Sequence, residues 1–100
     1  MRMRKKKWVA PFLENEKNYL IKDIKDIDTD KPIYVEIGMG MGDFICESAE
    51  LNPDIFYIGL EKDETCVARS IKKAQDKNLV NFKVIHDNAD KLNELFNDNS

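Results

Sequence analysis

The chain has 100 residues, 42% of them hydrophobic and 35% charged, with four Gly, three Pro and two Cys. That length holds one domain with a small core, the hydrophobic content excludes wholesale disorder, and the Gly and Pro counts exclude a collagen-like or Pro-rich chain. No apolar run approaches a membrane span. The formal net charge of −3 is unevenly placed: Arg2, Arg4, Lys5, Lys6 and Lys7 crowd the start, and all 19 acidic residues lie beyond them. A basic arm on an acidic body permits a polyanion contact at the N-terminus and argues against one over the whole surface. The opening MRMRKKKWVAPFL has no apolar stretch of signal-peptide length behind it. Cys46 and Cys66, with one His in the chain, make neither a disulfide framework nor a Cys/His zinc site. The expectation is reduced thiols, no metal and a cytoplasmic protein.

In chain order, apolar residues at Phe12, Leu13, Tyr19, Leu20, Ile21 and Ile24 predict a short amphipathic helix over Phe12–Ile24. The polar, acidic segment DIKDIDTDK (Asp23–Lys31) reads as a linker. The apolar run Ile33–Ile37 predicts a strand stopped by glycines. Asp43–Leu51 carries a helical stripe through Phe44, Ile45 and Ala49, with Pro53 just past its end. Ile55–Leu60 predicts a second strand, Asp63–Asp76 a helix through Val67, Ile71 and Ala74, and Val80–Ile85 a third strand. Ala89–Phe96 predicts a last short helix. Alternating strands and helices from residue 33 imply an α/β fold, a parallel sheet with helices on both faces. Right-handed crossovers give the strand order 3-2-1, one half of a doubly wound, Rossmann-like sheet.

The first strand runs into Glu36-Ile37-Gly38-Met39-Gly40-Met41-Gly42. A glycine turn at the carboxyl edge of such a sheet lies where ligands bind. The spacing is G-x-G-x-G, whereas a dinucleotide fingerprint would need its third glycine at Asp43, and no GK[ST] follows to make a P-loop. Asp43 at a helix start would also oppose a docked pyrophosphate. Glu61, at the end of the second strand, can accept both hydroxyls of a ribose. Glu36 suits a cationic group such as an amino acid's ammonium. A nucleoside, an ammonium and no phosphate together describe S-adenosylmethionine. Asn88 or Asp90, past the third strand, can address an adenine edge.

EIGMGMG, then NPDIFYIGLEKDE, then Asn88-Ala89-Asp90, after the opening RMRKKKW, resembles the bacterial tRNA (guanine-N7-)-methyltransferase family over essentially the whole chain. The resemblance implies the Rossmann-like class I fold of methyltransferases using S-adenosylmethionine, with tRNA as partner and guanine N7 as methyl acceptor. It places Glu36, Gly38, Gly40, Glu61 and Asn88 on cofactor-binding positions, Asn88 standing where some members carry Asp. It further implies residues 1–31 as basic arm, short helix and linker, and 32–100 as the first half of the methyltransferase domain. The family's DPWPK-type motif with its catalytic aspartate is absent, so catalytic residues are expected beyond residue 100 and the 100 residues alone are expected to be inactive. Guanine N7 carries a lone pair and no proton, so positioning outweighs general-base chemistry in such a transfer.

Plainer readings stand beside these. The glycine loop can be only a tight turn, Glu36 a helix-capping charge, Asn88 a turn residue and His86 a strand-end side chain. Met39, Met41 and the cysteines read as packing, and Lys72, Lys73 and Lys77 as a solvated helix face. The alternatives are another S-adenosylmethionine-dependent methyltransferase, a nicotinamide-dependent oxidoreductase fragment, and a non-catalytic α/β nucleoside-binding module. Titration with NADH against S-adenosylhomocysteine separates the oxidoreductase from the methyltransferase reading, and a non-catalytic α/β interaction module predicts no nucleoside binding at all.

Overall fold

A computed structural model describes residues 6–87. The expected helix at Ala89–Phe96, and Asn88, lie outside the described residues, as do Arg2, Arg4 and Lys5. Four strands, β1 (Leu20–Ile21), β2 (Ile33–Ile37), β3 (Phe56–Glu61) and β4 (Phe82–His86), form a parallel sheet in the order β1-β4-β3-β2. The helices are α1 (Val9–Asn15), α2 (Asp43–Leu51) and α3 (Glu64–Lys77). This is a Rossmann-like α/β arrangement, and the strands read from sequence take the expected 3-2-1 order.

Local chemistry sets the boundaries. Asp63 precedes α3 and its carboxylate accepts the Cys66 N–H at 2.9 Å, so the helix begins one residue after the acidic residue read as its first. Asn78, left-handed at φ 53°, ends it one residue later than expected. β4 starts two residues after Val80 because Asn81 turns inward. Its buried amide donates to the carbonyls of Ala49, Asn52 and Ile55 at 2.8–3.1 Å, tying off the end of α2.

One expectation is corrected. Phe12–Ile24 is not one helix. α1 starts earlier, at Val9, because Pro11 falls in the first turn, where its missing N–H leaves no bond unmade. Glu16 then accepts the N–H groups of Asn18 and Tyr19 and turns the chain out of the helix. Tyr19–Ile21 is a short apolar run, a pattern that periodicity alone cannot assign, and it joins the sheet as β1 beside β4. The expectation of helices on both faces meets the structure only in part, because the expected helix at Ala89–Phe96 lies outside the described residues. Among the described residues all three helices lie on one sheet face, where Ile45, Cys46, Ala49, Val67, Ile71, Ala74, Phe82 and Val84 form the main core with Phe12 and Leu13 packed against it. Two right-handed crossovers that step in the same direction put their helices on the same side, so the strand order already required this. The opposite face, built on Phe56, Ile58, Leu60 and Ile85, is covered by Ile21, Ile24 and Ile27 from a 3-10 turn and its flanks. Each fully buried Ile or Val contributes roughly 1.5–3 kcal/mol relative to exposure. No helix among the described residues is long and apolar enough to cross a membrane.

Candidate functional site

The carboxyl ends of β2, β3 and β4 converge on one edge. The Gly38–Gly42 loop leaves β2 there and folds back onto β3, with the Gly38 and Met39 N–H groups donating to the Leu60 carbonyl at 2.7 and 3.2 Å. Gly38 and Gly40 hold φ of +70° and +63°, a region open to glycine and strained for a β-carbon, and no atom lies within 4 Å of where either side chain would begin. The loop therefore presents bare backbone to open space.

Glu61 ties this edge together. Its Oε1 accepts the Gly40 N–H at 2.9 Å and its Oε2 the Asp63 N–H at 3.0 Å, while its own carbonyl accepts the Asp87 N–H at 2.9 Å. A carboxylate offers about four lone-pair sites. Two remain for a ligand, on a side chain whose position the backbone has already set. Glu36, across from Gly59 in the β2–β3 register, differs. Its Oε1 is buried with no hydrogen-bond partner among the described residues, and burial raises its carboxyl above the usual value. A buried acceptor left unsatisfied costs free energy that a donor on a ligand can recover. Four of the five residues read from sequence thus lie at one edge.

Met39, read from sequence as packing, does pack, whereas Met41 is exposed; sequence reasoning missed the socket that receives Met39 and so holds the loop. Met39 is buried, and a β-carbon on Gly59 would come within 2.1 Å of its sulfur. Gly59 is therefore the socket in which Met39 anchors the loop to β3. Lys73 donates to the Met41 carbonyl at 2.9 Å and pairs with Asp43 at 2.8 Å. Lys77 pairs with Glu50 at 2.8 Å, and Lys72 lies 4.2 Å from the Trp8 ring centroid, so none of the three is merely solvated. The spacing of Asp43 and Glu50 was the available signal, since seven residues put both on one face of a helix. Lys73 also offsets the Asp43 charge, so the case against a pyrophosphate rests on loop spacing more than on electrostatics. His86 faces the Lys62 carbonyl at 3.1 Å.

The family described as "Putative methyltransferase" matches residues 30–100. The chain belongs to this methyltransferase family. It is similar to proteins named tRNA (guanine-N(7)-)-methyltransferase. That of Macrococcus caseolyticus is 39% identical over 98% of this chain and 50% of the relative. That of Mycoplasmopsis agalactiae is 49% identical over 79% of this chain and 39% of the relative. The Bacillus subtilis protein is 35% identical over 96% of this chain and 49% of the relative. The chain spans about half the length of the curated relatives it matches.

Proposed function

We propose that this chain is the cofactor-binding part of a tRNA (guanine-N7-)-methyltransferase, with S-adenosylmethionine as methyl donor and guanine N7 of a cytoplasmic tRNA as acceptor. The observation that carries the reading is Glu61, a carboxylate held by the glycine loop it faces, with lone pairs left for two hydroxyls. In this reading Glu61 binds the ribose and the Glu36 carboxylate, whose buried Oε1 has no donor among the described residues, takes the ammonium of the cofactor's amino-acid portion. Gly38 and Gly40 let the cofactor lie against backbone, and Asn88 addresses the adenine. Residues 1–31 then carry the basic arm and α1 together with β1 and the 3-10 turn, which pack onto the sheet and are no free linker, and 32–100 the first half of the methyltransferase domain.

Bound there, S-adenosylmethionine supplies an electrophilic sulfonium methyl. The residues of this chain need move no proton, because N7 carries none; they orient the donor and exclude water from it. The names of the relatives support the tRNA and the guanine N7 specificity. The test is calorimetric titration with S-adenosylhomocysteine and with NADH, followed by methyl transfer from labelled cofactor to unmodified tRNA in the full-length protein. Binding of S-adenosylhomocysteine alone, and label recovered as 7-methylguanosine, is the expected outcome. Tight NADH binding, or label at another atom, contradicts the proposal.

A further inference from the structure

The seam between α1 and α3 carries a groove of about 460 Å³ that the candidate site does not use, lined by Trp8, Pro11, Phe12, Asn15, Glu16, Lys72 and Gln75. Trp8 and Phe12 meet edge to face, with centroids 5.6 Å apart, and the Lys72 ammonium lies 4.2 and 5.5 Å from the two rings. The Arg69 guanidinium is 5.8 Å from Trp8. Neither Arg69 nor Lys72 pairs with a carboxylate among the described residues. The other end of the groove is acidic but occupied: Glu16 accepts from Asn18, Tyr19 and Gln75. The groove therefore runs from cations that have aromatic neighbours but no carboxylate partner among the described residues to a satisfied carboxylate.

Its place in the fold adds direction. Trp8 lies beside Arg69 and Lys72, and Glu16 beside Gln75, so α1 and α3 run the same way. α3 begins at Glu64, just past Glu61, so the Trp8 end of the groove faces the edge that carries the glycine loop. Lys6 and Lys7, both exposed, lead into Trp8, and Arg2, Arg4 and Lys5 precede them in the sequence.

We infer that this seam holds an unpaired nucleotide of the RNA substrate, its phosphates on Lys6, Lys7, Arg69 and Lys72 and its base against Trp8 and Phe12. Charge selects a polyanion, and the aromatic floor selects one that carries bases; this combination is how single-stranded nucleic acid is held without sequence preference. The volume suits one small planar ligand. The inference rests on the proposed function for the identity of the RNA, and on the groove alone for its location.

Trp8 is the chain's single tryptophan, so its emission reports on this groove and nothing else. The expected result is quenching of Trp8 emission by oligoadenylate and by unmodified tRNA, and no quenching by heparin, a polyanion without bases. Arg69→Gln combined with Lys72→Gln should weaken tRNA binding about tenfold near physiological salt and lower the slope of log affinity against log salt by about two, with S-adenosylhomocysteine affinity unchanged. Both substitutions are on the surface, and the cofactor titration reports folding. Unquenched emission with an unaltered slope, in protein that binds S-adenosylhomocysteine, overturns the groove and leaves the proposed function standing. Equal quenching by heparin overturns base stacking. Quenching by RNA in protein that does not bind S-adenosylhomocysteine sustains the groove while the cofactor reading falls.

Discussion

Burial raises the Glu36 carboxyl above its ordinary value of 4.5, and its Oε1 has no partner among the described residues. A carboxyl whose folded pKa is raised binds its proton more tightly folded than unfolded. Stability therefore falls as pH climbs from the ordinary value through the raised one, and stays lower above it. Glu36→Gln removes that loss. The variant should melt at a higher temperature than the parent at pH 7, the margin should close below about pH 4, and S-adenosylhomocysteine affinity should drop. A margin that is the same at acid and neutral pH would mean that packing rather than ionisation separates the two proteins. Glu61 makes a different case, because both its oxygens already serve the backbone of Gly40 and Asp63. Glu61→Ala removes the loop's tether along with the ligand's acceptor, and should cost about 2–4 kcal/mol of cofactor affinity. Glu61→Gln keeps one acceptor oxygen and should fall between. Calorimetric titration of the three proteins checks the order; an alanine variant with parental affinity sinks the ribose assignment.

At the scale of elements, the glycine loop depends on a socket in its neighbouring strand. Gly59→Ala puts a methyl where Met39 sits, so either the sulfur or the loop must shift. Overpacking of this kind costs about 1–3 kcal/mol. The expected outcome is lower thermal stability together with weaker cofactor binding, both partly restored by adding Met39→Ala, which vacates the space. A double-mutant cycle on melting and binding reads the coupling; strictly additive losses would show that the two side chains are independent. Gly40→Val tests the loop itself. Space is open at Gly40, so the penalty is the positive φ, which a β-branched residue resists, and cofactor binding should disappear while helical content on circular dichroism is kept. Much of this layer was legible in the sequence. β2, β3, α2, α3 and β4 are each an apolar run or stripe bounded by Gly, Pro, Asn or Asp, and Glu36, Gly38, Gly40 and Glu61 fall at strand ends where the fold brings them together. β1 was not legible: two residues long, it is defined by its partner and not by its own pattern. The Met39 socket was hidden for the same reason, since a contact between residues twenty positions apart leaves no local periodicity.

At the scale of the whole molecule, β2 pairs only with β3 among the described residues, and it exposes Ile33 at 45%, Tyr34 at 44% and Ile37 at 58%. An apolar edge with unpaired N–H and C=O groups invites another strand. The 100-residue chain should therefore self-associate with rising concentration in sedimentation velocity, and Ile33→Lys, at the end of β2 away from the loop, should suppress this without changing cofactor affinity. Monomeric behaviour at every concentration would show that the edge is protected. The opposite edge carries a consequence in time. Tyr19 donates its hydroxyl to the Leu79 carbonyl, 60 residues further along, and Leu20 and Ile21 register with Val84 and Ile85. A ribosome adds about 5–20 residues per second, so Tyr19–Ile21 waits roughly 3–12 seconds after its own synthesis before its partners exist. Pairing across so long an interval also carries the largest loop-closure entropy among the described strand pairs. Among the described strands the N-terminal one is thus the last seated, and its amides should be among the first to exchange hydrogen when the sheet begins to open.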